Sequence, residues 1–149
     1  MTDQALQDAD NVVLYAKPTL VIDAQLGQVD GSAFIWNGRG DGLSVNWLEC
    51  FGNLPKERQL DIIRQLIRLN MRLSGRLVEL NVGTVLEHIT TQLDSPRFVR
   101  KPLAATTDFK ADPSHCELVG LPTREEDEIK ATEIGEIIAN CVTSVHPVG

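Results

Sequence analysis

Leu43-Ser44-Val45-Asn46-Trp47 alternates apolar and polar side chains without a break. Successive residues of a strand point to opposite faces, so Leu43, Val45 and Trp47 share one side, and Ser44 and Asn46 share the other. A chain carrying such a segment must bury one face of a sheet, and the pattern predicts a sheet packed on one side only. Just before it, Asn37-Gly38-Arg39-Gly40-Asp41-Gly42 supplies glycines and an asparagine for positive φ. Ser32-Ala33-Phe34-Ile35-Trp36, before that, is rich in strand formers. Together the three segments predict a β-hairpin.

Further strands are expected at residues 11–17, ended by Pro18, at 19–23, at 76–82, at 97–100 as an edge, and at 116–119. Val145 marks a last extended piece. Two main helices are expected. The first covers 54–74: Asn53 caps it, Pro55 suits its first turn, Leu60, Ile63, Leu66, Ile67 and Met71 recur at helical spacing, and Gly75 stops it. The second covers 123–140, opened by the capping box Thr123-Arg124-Glu125-Glu126. A shorter helix over 84–93 has Thr84 as its cap. The expected fold is α+β: a mixed, mostly antiparallel sheet of about five or six strands with both main helices on one face. Residues 1–10 are expected as a flexible arm and 11–149 as a single domain.

The net charge of −7 disfavours nucleic acid and anionic lipid, both of which require a positive face. Arg58, Arg64, Arg68, Arg72 and Arg76 read as the wet face of a helix. No stretch approaches the ~20 apolar residues of a membrane span. Residues 1–10 lack the basic start and apolar middle of a secretion signal, so a cytoplasmic location is expected. The three cysteines, Cys50, Cys116 and Cys141, are widely spaced and odd in number, against a disulfide framework. No CxxC or HxxxH pair supports a metal site. No cofactor is expected either: Gly38, Gly40 and Gly42 join two strands rather than opening a helix, and no phosphate loop is present.

Few reactive side chains cluster. Arg39-Gly40-Asp41 spells an adhesion tripeptide, but Arg39 and Asp41 read better as a turn-tip ion pair or as ligand contacts from a loop. Cys50 sits among Trp47, Leu48 and Phe51, which argues for an inert buried thiol over a nucleophile. His88 reads as structural, and His146 lies in the tail. Asp112-Pro113-Ser114-His115 is the one place where carboxylate, hydroxyl and imidazole crowd together, with Cys116 next in the chain. Asp112 or Ser114 is expected to accept from one ring nitrogen of His115, leaving the other as base or ligand. The same residues also suit a turn locked by its own side chains.

Phe34, Gly42-Leu43-Ser44-Val45, Trp47, Leu80-Asn81-Val82-Gly83 and Asp112-Pro113-Ser114-His115, in that order, make the chain resemble a family of small uncharacterised bacterial proteins over residues 12–145. The resemblance implies a bacterial, cytosolic, single-domain protein and no mechanism. Two functions are expected from the residues. The leading one is a non-enzymatic binding or accessory protein with a protein partner or self-association. The alternative is a small hydrolase or group-transfer enzyme with His115 as base, Asp112 as its orienter and Arg39 as an anion-binding group, with Asp41 and Ser114 as further ligand contacts.

Overall fold

The computed structural model describes residues 4–149. In chain order the elements are β1 (Asn11–Ala16), β2 (Val21–Asp23), β3 (Gln28–Val29), β4 (Gly42–Trp47), α1 (Lys56–Leu66), β5 (Arg76–Asn81), α2 (Val82–Ile89), β6 (Arg97–Arg100), β7 (His115–Val119), α3 (Arg124–Ala139) and β8 (Ser144–His146). Six strands form one sheet in the order β6-β7-β4-β1-β5-β8, and β2 pairs with β3 apart from it. Every neighbouring strand pair is antiparallel. The α+β class and the strand number agree with the expectation.

The placement of the helices does not. β1 reads Asn-Val-Val-Leu-Tyr-Ala, and β5 contains Leu77-Val78 followed by Leu80. Adjacent apolar residues on a strand point to opposite faces, so both faces need covering. Val12, Leu14, Val78 and Leu80 pack with Val85 and Ile89 of α2 and Ile134 and Ile138 of α3. Val13 and Leu77 pack on the other side with Leu60 and Ile63 of α1. The two main helices therefore lie on opposite faces, and the sheet is not packed on one side only. Leu60 and Ile63 are fully buried, each contributing roughly 1.5–3 kcal/mol.

Three local expectations also change. Gly31–Phe34 is a 3-10 turn rather than a strand. Asp30 caps it by accepting from Ser32 N at 2.8 Å. Its Gly31 meets Gly135 of α3 so closely that a Cβ on Gly135 would lie 2.5 Å from Gly31 O. The hairpin expected between 32–36 and 43–47 does not form: β4 pairs with β1 and β7 instead. Helix α1 ends at Leu66, not 74, because Ile67 turns extended and packs beside the α1 core. Arg68 is then held by another loop, so tertiary contacts override helix propensity. Gly75 approaches Tyr15, where a Cβ would lie 2.5 Å from the ring. Helix α2 begins at Val82, since the Asn81 side chain accepts from Thr84 N at 2.9 Å and takes the capping role expected of Thr84. The Thr123–Glu126 capping box of α3 is present as expected.

Of the expected arm, residues 1–3 lie outside the described residues. Residues 4–6 run beside β6, with Leu6 buried and its N–H on Phe98 O at 2.9 Å, and Asp8 and Asp10 accept from the N–H groups of Gly83 and Val82 at the start of α2. Among the described residues no helix is long and apolar enough to cross a membrane.

Candidate functional site

Strands β4 and β7 pair with Asn46 opposite His115 and Ser44 opposite Glu117. Their alternation sends Val45 and Cys116 into the core with α2 and α3. Ser44, Asn46 and His115 are left on the α1 face. There they border a hollow of about 180 Å³. Val13 and Tyr15 of β1, Ile67 and Leu69 beyond α1, and Leu103 supply its apolar walls. Asn46, Arg68, Asp112 and His115 supply most of its polar ones.

Asp112 is 2% exposed and Ser114 is fully buried. Asp112 Oδ1 accepts from Ser114 N at 3.0 Å and from Ser114 Oγ at 2.6 Å. Asp112 Oδ2 accepts from Asn46 Nδ2 at 2.9 Å, and the same amide donates to Ser114 Oγ at 2.8 Å. The Asp112 backbone also exchanges two bonds with Leu103. This closed network fixes the turn that delivers His115 to β7, as Asp and Ser side chains do when they bond their own backbone.

His115 takes a different partner from the one expected. Its Nδ1 lies 2.8 Å from Lys101 O, not on Asp112 or Ser114. A carbonyl only accepts, so Nδ1 carries the hydrogen. Nε2 then accepts from Ser44 Oγ at 3.2 Å. The backbone of Lys101 thus sets the tautomer, and the aqueous side of the ring meets Ser44. Ser44 was missed in the sequence because it reads as an ordinary outward strand residue. The signal for it was its place two residues from Asn46 on the same face.

Arg39 and Asp41 lie elsewhere. Both are exposed in the glycine-rich loop, and neither lines the hollow. Asp41 pairs with Lys101 Nζ at 3.1 Å rather than with Arg39, and its N–H donates to Glu117 Oε1 at 3.1 Å. Arg39 O accepts from Trp36 Nε1 at 2.7 Å. The set His115, Asp112 and Arg39 is therefore not assembled as one centre: Asp112 bonds Asn46 and Ser114 rather than the ring, and Arg39 is outside the hollow.

Arg68 was read as part of a wet helical face. Instead its Nη2 donates to Ala104 O at 2.7 Å and to Lys110 O at 2.8 Å, and its guanidinium lies 5.2 Å from the Phe109 ring centroid. Its Nε is buried with no partner among the described residues.

The thiols are quiet. Burial raises Cys50 above its ordinary value, and burial pushes Cys116 up to about 12. His88 Nδ1 bonds Thr84 O at 2.8 Å within α2. A second polar cluster centres on buried Glu79, which accepts from Lys56 Nζ at 2.6 Å and meets His146 Nε2 at 2.8 Å. Burial alone would raise the Glu79 pKa, but the bonds from Lys56 and His146 outweigh it and hold the carboxyl below its usual range. His146, uninformative in the sequence, belongs to this buried pairing. Among the described residues no group of three or more His, Cys, Asp or Glu side chains is placed to hold a metal ion. Comparison with protein-family models, with curated proteins and with solved structures gave no match.

Proposed function

We propose that this chain is a binding protein, and that the hollow beside His115 seats an apolar group of its partner. One observation carries the reading: an apolar hollow has a rigid polar rim whose carboxylate is already saturated by Asn46 and Ser114. Pockets of this kind bind through apolar walls and orient through a few fixed polar groups. The depressions at Asp8 and Thr84 and at Gly31 and Glu136 are larger, about 520 and 390 Å³, but they are open and lined mainly by polar or glycine positions. The acidic charge makes nucleic acid a poor partner. A cytoplasmic, bacterial setting belongs to the same proposal. The test is methyl NMR with a neutral ring-sized probe, benzyl alcohol. Saturable shifts at Val13, Ile67 and Leu103 are expected, abolished in Leu103→Trp, which fills the hollow. Shifts that are absent, or that survive the substitution, refute the site.

A second reading is favoured by the Ser44–His115 contact. A hydroxyl within reach of an imidazole, itself oriented by a third group, is the arrangement of an activated nucleophile. In that reading Ser44 Oγ attacks an ester carbonyl while His115 Nε2 takes its proton, the imidazolium returns that proton to the departing alkoxide as the ester C–O bond breaks, and water then hydrolyses the acyl-serine. It ranks second because a diagonal Ser–His pair across two strands also arises from sheet pairing alone. Hydrolysis of p-nitrophenyl butyrate that vanishes in both Ser44→Ala and His115→Ala would promote it.

A further inference from the structure

We propose that the hollow selects a small, uncharged alcohol or phenol whose O–H donates to Ser44 Oγ. This deepens the binding reading above and rests on it. The hollow's volume of about 180 Å³ is close to that of a ~150 Å³ cavity that admits benzene. One ring-sized molecule therefore fills it whole.

The direction of a hydrogen-bond relay selects the hydroxyl. The relay ends on Lys101 O, and a carbonyl can only accept, so His115 Nδ1, 2.8 Å away, donates to it. A neutral imidazole with its hydrogen on Nδ1 carries a bare lone pair on Nε2. Ser44 Oγ, at 3.2 Å, gives its one hydrogen to that lone pair. The Ser44 oxygen is left with lone pairs and no hydrogen to offer. Ser44 is exposed and borders the hollow, so a ligand reaches this oxygen. A ligand O–H that donates to it extends the relay, and hydrogen bonds in series strengthen one another. A ketone oxygen in the same place meets lone pairs, and it gains a donor only by breaking the Ser44–His115 bond.

The other polar side chains of the wall are committed to the protein. Asn46 spends both amide hydrogens on Asp112 Oδ2 and Ser114 Oγ. Asp112 already accepts through both oxygens. Arg68 directs Nη2 to the Ala104 and Lys110 carbonyls. The Tyr15 hydroxyl accepts from Arg72 N at 2.9 Å and abuts Gly75, neither of which lines the hollow. The two charges in the wall, Arg68 and Asp112, are of opposite sign, so together they favour neither an anion nor a cation. Ser44 therefore sets the polarity that the hollow reads.

The imidazole of the full chain is observed first by 15N NMR. A hydrogen on Nδ1 and a bare Nε2 are expected; a hydrogen on Nε2 overturns the relay. Methyl NMR titrations then compare 1-phenylethanol with acetophenone, close in shape and differing in the hydroxyl. Benzyl alcohol is compared with benzoate and benzylamine. The expected result is that 1-phenylethanol binds at least about threefold more tightly than acetophenone, within the range of one net hydrogen bond. Benzoate and benzylamine bind more weakly than benzyl alcohol, and the Ile67 and Leu103 methyls report each bound compound. His115→Phe frees the Ser44 hydroxyl to donate or accept, so the alcohol-to-ketone ratio falls to about one. Equal affinity of alcohol and ketone in the natural chain, with benzyl alcohol still entering, overturns this inference alone; failure of benzyl alcohol too overturns the site itself. Tighter binding of benzoate or benzylamine overturns the uncharged class. Tighter binding of N-acetyltyrosinamide than of p-cresol overturns the small molecule in favour of a tyrosine side chain. The alcohol-to-ketone comparison uses the natural chain, so it stands even if His115→Phe disturbs the sheet.

Discussion

Replacing Asp112 by Asn tests whether this carboxylate is scaffold or working group. The amide oxygen keeps the place of Oδ1 and still accepts from Ser114 N and Oγ, now at 3.0 and 2.6 Å. At Oδ2, however, an NH₂ replaces the acceptor of Asn46 Nδ2, at 2.9 Å. Two donors then face each other in a position only 2% exposed. Asn46 retains its bond to Ser114 Oγ, so one charge-assisted bond is lost. Such a bond contributes about 1.5–3 kcal/mol, so a loss of about 2 kcal/mol in urea unfolding is expected. For a domain of this size that corresponds to a fall of roughly 4–8 °C in Tm. His115→Gln is the comparison. Its ring is half-buried and its partners reach solvent, so it should cost within about 1 kcal/mol. The reasoning fails if Asp112→Asn leaves Tm within 1 °C of the natural chain while abolishing ligand binding, because the carboxylate would then act on the ligand and not on the turn.

Other outcomes follow from the same structure. Glu79 has its pKa depressed in the fold, so its contribution is present above the ordinary carboxylate pKa and is lost as pH falls through the folded value. Glu79→Gln should therefore flatten the fall in stability on acidification below about pH 4.3. At pH 7 it should cost about 1–3 kcal/mol, kept modest because the Lys56 side chain is 44% exposed and rehydrates. Gly135→Ala would set a Cβ 2.5 Å from Gly31 O and should destabilise by about 1–3 kcal/mol by denaturant titration, with no effect if the helix and turn can part freely. Cys116, fully buried with its pKa pushed to about 12, should resist a disulfide reagent at pH 8 until the chain unfolds; rapid native labelling would contradict its burial.

How legible the molecule was in its sequence depended on whether a residue's role was local. The capping box at Thr123, the strands around Val13, Val78 and Leu118, and the Asp112 turn were readable because short-range spacing dictates them. The helix placement was misread because β4 alternates while the central β1 and β5 do not. Those two strands carried the decisive signal in their adjacent valines and leucines. The hairpin failed because Gly31 was recruited to the backbone of α3, a contact 104 residues away along the chain, from 31 to 135. At the site, Asp112 and His115 border one hollow, but the bond expected between the ring and Asp112 or Ser114 is not made. His115 takes its partner from Lys101, which β6 brings alongside β7. Arg68 joins the site only through tertiary placement, so no spacing rule could have found it, whereas Ser44 was signalled by its place two residues from Asn46 on one strand face.

The most direct measurement is the position of a bound ligand. A crystal of the chain with benzyl alcohol should show the ring between Tyr15, Ile67 and Leu103, beside His115. A probe bound anywhere else, or a hollow left empty at saturating probe, contradicts the account.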